Sequence, residues 1–179
     1  MTTVFWSDRQ LIARLDEVLT VYATAMAYPP EIAELRRGFV AAHTQRAEFR
    51  AVATLDGDRL VGFGYGYRSR PGQWWHEQVR TGMDVPTYTA WMTDCFELVE
   101  LHVMPDAQGC GIGQAQLVAL LDGVRRQTVA LSTPEGESRA WRLYRRMGFV
   151  DLLRHYDFPG DDRPFAVLGR ALPLDAPSD

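Results

Sequence analysis

Apolar residues recur along this chain with a period that changes from segment to segment. Leu11, Ile12, Leu15, Val18, Leu19 and Tyr22 keep the spacing of one helix face, with Ser7-Asp8 placed as the cap. Tyr28-Pro29-Pro30 closes that helix, because proline cannot continue one. Glu31 to His43 predicts a second helix, striped by Ile32, Leu35, Phe39 and Val40. Phe49 to Leu55 and Leu60 to Tyr67 flank Asp56-Gly57-Asp58, a strong hairpin signal. The second strand of the hairpin carries Gly62, Gly64 and Gly66, where another backbone or a ligand can come close. Ser69 to Thr87 predicts a long irregular segment, and Tyr88 to Asp94 a short helix. Phe96 to Val103 alternates like a strand and is ended by Met104-Pro105-Asp106. A helix over Ile112 to Arg126, a strand over Gln127 to Leu131 and a helix over Pro134 to Arg146 follow, with Gly148 as the stop. Phe149 to Tyr156 and Phe165 to Leu172 complete the pattern as strands around the turn Pro159-Gly160-Asp161-Asp162. This order predicts an α/β fold in one domain spanning residues 1–179, with a mixed central sheet and flanking helices.

Composition narrows the chemistry. The chain has 179 residues, and all 19 basic residues are arginine. Lysine is absent, which excludes a P-loop lysine, a Schiff-base amine and a Ser-Lys dyad. Asparagine is absent too, which excludes N-glycosylation and a Cys-His-Asn protease site. Both absences fit the codon usage of a GC-rich genome. The net charge of −4 argues against a nucleic-acid partner, which calls for a basic excess. Cys95 and Cys110 give no disulfide framework and fit a reducing cytoplasm. Asp8 and Arg9 stand where a signal peptide needs an apolar core, and no apolar run reaches transmembrane length. The expectation is a cytoplasmic protein with no membrane partner. His43, His76, His102 and His155 are isolated, and no metal-ligand spacing or G-x-S-x-G elbow is present.

The informative stretch is Leu98 to Leu121. A strand enters Gln108-Gly109-Cys110-Gly111-Ile112-Gly113, and an apolar helix leaves it. Glycines let backbone N–H groups turn toward an anion, and a helix N-terminus adds unpaired donors and positive dipole character. Together they suit a phosphate or pyrophosphate. A dinucleotide fingerprint needs G-x-G-x-x-G directly after a strand and an acid about 20 residues on. Here the spacing is G-x-G-x-G, and the next strand ends without an acid.

Gln108-x-x-Gly111-x-Gly113, after Glu97-Leu98-Val99-Glu100-Leu101-His102-Val103-Met104-Pro105, resembles the acyl-CoA loop of the GNAT N-acetyltransferases. Ala140-Trp141-Arg142-Leu143-Tyr144-Arg145-Arg146-Met147-Gly148-Phe149 resembles the second motif of that family, A-x-x-x-Y-x-x-x-G-F. The resemblance covers roughly Ala51 to Leu172, with an acyl-CoA-binding core near 96–149. It implies acetyl-CoA as co-substrate, no metal, and direct acetyl transfer to a primary amine of a small molecule or peptide. It also implies that Leu101, His102 and Val103 offer backbone groups to the pantetheine arm. Gly109, Cys110, Gly111, Ile112 and Gly113 would cradle the pyrophosphate beside Gln108. Cys110 stands where relatives often carry a basic residue, so Arg142 and Arg146 are further phosphate candidates. Glu137-Ser138 stands where relatives often have asparagine, which makes Ser138 the substitute contact.

Acetyl transfer needs a deprotonated amine, a polarised thioester oxygen and a protonated leaving thiolate. The resemblance makes Tyr144 the general acid. Glu97, Glu100 and His102, in that order, are candidates for the base. Alternation puts Glu97, Val99, Leu101 and Val103 on one strand face and Glu100 with His102 on the other, which faces the pocket only if the strand is bulged. Trp74, Trp75, Tyr65, Tyr67, Tyr28 and Trp91 could line an acceptor pocket, with Glu77, Asp84 and Asp94 attracting a cationic amine. A non-catalytic acyl-CoA-binding or regulatory protein is the alternative on the same scaffold. Homodimers are frequent in the family.

Overall fold

The computed structural model describes residues 1–174; the last five positions of the expected domain, 175–179, lie outside the described residues. Seven strands form a mixed sheet in the order β1-β2-β3-β4-β5-β7-β6. They are β1 (Thr2–Trp6), β2 (Arg50–Asp56), β3 (Arg59–Arg68), β4 (Cys95–Val103), β5 (Thr128–Pro134), β6 (Val150–Asp157) and β7 (Pro164–Ala171). The helices are α1 (Asp8–Ala13), α2 (Leu15–Met26), α3 (Pro30–His43), α4 (Trp74–Gly82), α5 (Val85–Trp91), α6 (Ile112–Leu121) and α7 (Arg139–Arg146). β4 and β5 run parallel; β1–β2, β2–β3, β5–β7 and β6–β7 are antiparallel. The chain divides into two compact units, one of Met1–Tyr67 with Leu98–Asp122, the other of Arg68–Glu97 with Gly123 onward.

In the first unit, Ser7 and Gln10 close a capping box on α1. The single long helix expected from Ser7 breaks at Arg14, whose guanidinium holds Glu17 and the Asp58 carbonyl at the hairpin turn. β1 was not anticipated. Its five residues are too few to show a period, and β2 recruits them by pairing Thr2 with Leu55 through Trp6 with Ala51. The hairpin stands as expected, with Gly57 at φ +60°.

One face of this part of the sheet packs under α1, α2 and α3, through Leu11, Val18, Leu19, Val40, Ala51, Ala53, Phe63 and Tyr65. The other face lies against α6. There a Cβ on Gly62 would meet Gln116 Nε2 at 2.6 Å and the His102 carbonyl at 2.8 Å. The predicted stripe of α3 is turned outward, leaving Ile32, Leu35 and Phe39 exposed, while Ala33 and Val40 are buried. The rotation agrees with the bond from Arg36, on the inward side, to Glu100.

In the second unit, the segment expected to be irregular contains α4 and the start of α5, which runs on into the short helix expected from Tyr88. Trp75 and Val79 bury with Met92, Cys95, Ala130, Phe158 and Val167. His76 is fully buried, its Nδ1 2.9 Å from Ser69 Oγ and its Nε2 2.9 Å from Tyr88 Oη. These tertiary contacts hold helices whose sequence carries only a weak period. α7 begins five residues later than expected, because Pro134 completes β5 opposite Phe165 and Ser138 supplies the cap. It stops before Gly148, at φ +79°.

Candidate active site

The phosphate-binding candidate is built by the end of β4, the loop and α6, all in the first unit. Gln108 Nε2 donates to the Val103 carbonyl at 2.9 Å, tying the loop back to its strand. Gly109 and Gly111 take φ of +86° and +79°, conformations that side chains disfavour. Gly111 is the N-cap of α6 and no side chain caps the helix, so its first-turn amides stay available to an anion. A Cβ on Gly111 would meet nothing within 4 Å, which leaves the approach to these amides open. Cys110 is exposed beside them.

The β4 strand departs from strict alternation. Val99 packs against the core beneath α1 to α3, and the next residue, Glu100, reaches Arg36 on α3. Two consecutive side chains thus address one face, which returns Glu100 and His102 to the side facing α2 and α3. Glu100 is 7% exposed, and its two oxygens are divided between Arg36 Nη2 and His102 Nε2, the latter at 2.6 Å. Burial alone would raise the Glu100 carboxyl, but the His102 hydrogen bond and the Arg36 charge prevail and hold it below the usual carboxylate range. A carboxylate so held is a weak proton acceptor near neutral pH. The His102 ring lies edge-on to Tyr22 at 5.2 Å and beside Phe63 at 5.5 Å. Arg36 lies over Tyr22 at 5.3 Å. Val18, Leu19, Tyr22, Val40 and Phe63 close around Arg36 and Glu100 here. Arg36 was not anticipated: on a helical wheel it reads as one more surface charge, and only the packing of α3 brings it to Glu100.

The second unit holds the other candidates. Glu97 is 3% exposed within β4. Tyr144 is 6% exposed and packs against Phe149 at 5.4 Å between ring centroids. Ser138 Oγ accepts from Trp141 N at 3.0 Å as the cap of α7. Arg142 is exposed, with Glu137 3.8 Å away, and Arg146 is exposed as well. The acids expected to draw a cationic amine have structural duties instead. Glu77 holds Arg80 and the Gly72 amide, Asp84 caps α5, and Asp94 holds Arg126 and the Gln127 amide. Tyr65 and Tyr67 are buried at 0% and 1% and line no surface. Among the described residues, no group of three or more His, Cys, Asp or Glu is placed to hold a metal ion. None of the described helices is long and apolar enough to cross a membrane.

The glycine loop and the uncapped start of α6 leave backbone amides open to an anion such as a phosphate. Comparison with known proteins makes the class specific. The family model described as the acetyltransferase (GNAT) family matches residues 13–149. A GCN5-like protein acetyltransferase of Mycobacterium tuberculosis is 43% identical over 191 residues, covering 90% of this chain and 93% of that protein. The yncA protein of Salmonella typhimurium, solved with its cofactor acetyl-CoA, superposes with a TM-score of 0.68 at 14% identity, covering 100% and 98% of the two chains. The PaiA N-acetyltransferase of Thermoplasma acidophilum, solved with coenzyme A, gives 0.62 at 13% identity, covering 96% and 100%. The chain belongs to the GNAT acetyltransferase family and is an acyltransferase. The family draws its acetyl group from acetyl-CoA, and the open amides at Gly111 and the start of α6 fit the phosphates of that donor.

Proposed function

We propose that this protein transfers the acetyl group of acetyl-CoA directly to a primary amine of a small molecule or peptide. The observation that carries the reading is the Gln108–Gly113 loop, pinned to β4 and opening into the uncapped N-terminus of α6. The name of the M. tuberculosis relative supports a peptidic amine, on a protein, as the acceptor. In this reading the amides of Gly109, Cys110, Gly111, Ile112 and Gly113 hold the pyrophosphate, and Arg142 and Arg146 add charge to the phosphates. Leu101, His102 and Val103 offer backbone groups to the pantetheine arm. Ser138, already a helix cap, contributes as an element of the loop that precedes α7. Tyr144 gives its phenolic proton to the leaving sulfur.

The test is acetyl-CoA consumption over a panel of amino sugars, aminoglycosides, polyamines, amino acids and lysine-bearing peptides. With an accepted amine, Tyr144→Phe should lower kcat by about 10²-fold or more while acetyl-CoA binding holds. Unchanged turnover in that variant removes Tyr144 as the acid. Acetyl-CoA binding without turnover on any amine supports the non-catalytic alternative.

A further inference from the structure

We infer that His102 is the group that takes the amine's proton, through Nδ1, with Glu100 orienting the ring and Arg36 acting as a positioning residue behind Glu100. The inference rests on the transferase reading above. It begins from a constraint of hydrogen bonding. An ionised carboxylate only accepts, so the ring nitrogen 2.6 Å from Glu100 Oε2 must donate. That nitrogen is Nε2, and in the neutral ring the lone pair is then left on Nδ1. Nδ1 makes no hydrogen bond among the described residues and is not among the buried polar atoms. The ring is held by Glu100 on one side and by Tyr22 and Phe63 around it, so its free nitrogen has a defined direction.

Arg36 supplies what a carboxylate–imidazole pair lacks. A lone buried carboxylate against an imidazole would draw a proton onto the resting ring, leaving it unable to accept another. Arg36 occupies the other Glu100 oxygen and offsets its charge, so less of the carboxylate's pull falls on the ring. Once the ring is protonated, Glu100 lies against the new positive charge and stabilises it. The other groups facing this cluster are Tyr22 from α2, His43 from α3 and Tyr65 from β3. His43 is bonded to Tyr65 at 3.1 Å and is itself held neutral by burial. Among the described residues, Glu100 is therefore the acid of this cluster. Glu97, in the second unit, is not needed for the proton.

The step balances as follows. One proton of the substrate ammonium passes to His102 Nδ1, and the nitrogen lone pair attacks the thioester carbonyl carbon. As the C–N bond forms and the C–S bond breaks, the nitrogen loses a second proton and the sulfur gains one. The imidazolium then returns its proton to water.

Four histidines in the chain make imidazole nitrogen NMR tractable, with His102→Gln identifying the relevant signals. In the neutral form of the wild-type His102 ring the proton should sit on Nε2; an Nδ1–H tautomer overturns the inference. In turnover on an amine accepted in the panel above, His102→Gln should lose about 10²-fold or more in kcat while keeping the thermal shift with acetyl-CoA. Arg36→Met should move the acid limb of the kcat/KM profile up by about one pH unit or more, and Arg36→Lys should bring it back. A His102→Gln enzyme with wild-type kcat, or an acid limb that Arg36→Met does not move, overturns the assignment. Failure of the wild type to acetylate any amine overturns the transferase reading and the base assignment with it. Turnover that survives His102→Gln overturns the base assignment alone.

Discussion

Among the described residues, His43 and His76 are two side chains whose burial couples the fold to pH. Burial drives the His43 ring down to about 4, with Arg46 adding to the effect, and burial lowers His76 in the same direction. Each ring is held neutral in the folded state, whereas in the unfolded chain it takes up a proton near 6.5. The stability they contribute is therefore present above that value and is lost as pH falls toward 4. Urea midpoints should decline between pH 7 and 4.5. His43→Phe should show a shallower decline than the wild type, whatever its starting stability. Equal slopes would remove His43 as a contributor. Neither residue stands out in the sequence, where an isolated histidine looks the same buried or exposed.

At the scale of elements, the closest fit in the first unit lies between β3, β4 and α6. Gly62 has no room for a Cβ, because one neighbour is the His102 carbonyl, which moves only with its strand. Gly62→Ala should destabilise the protein by about 1–3 kcal/mol in urea unfolding, the usual range for overpacking. A neutral result would mean that β4 can shift. The glycines of this strand signal close approach in the sequence, and the structure names the neighbours. Other elements were legible for equally local reasons: Ser7 with Gln10 at a cap, Asp56-Gly57 at a turn, Gly148 at a helix end. β1 and α4 were not, because each is short and is formed through partners distant in the chain, whereas α5 was placed three residues late. The outward stripe of Ile32, Leu35 and Phe39 shows the same limit, since periodicity finds an apolar face without telling which way it turns.

For the whole molecule, donor binding and folding are one equilibrium. A ligand that binds only the folded chain at about a hundred times its Kd adds about 2.7 kcal/mol of stability. For a chain of this length that corresponds to a rise in Tm of roughly 5–10 °C. Acetyl-CoA should produce such a rise and NAD should not. Gly111→Val should abolish it, because a β-branched residue is strained at φ +79° and distorts the amides at the start of α6. A shift retained in that variant would place the donor elsewhere.

The chain by itself determined the order of most elements, the two family motifs and the loop proposed to receive phosphate, because each is written in neighbouring residues. Backbone amides presented by glycines need no particular side chain, so a sequence without lysine or asparagine still encodes them. The tertiary structure alone decided the cluster at Glu100. Residues 36, 100 and 102 meet only because α3 turns its arginine inward and β4 departs from alternation at Val99–Glu100. Those are consequences of packing between segments some sixty residues apart, and no local period records them.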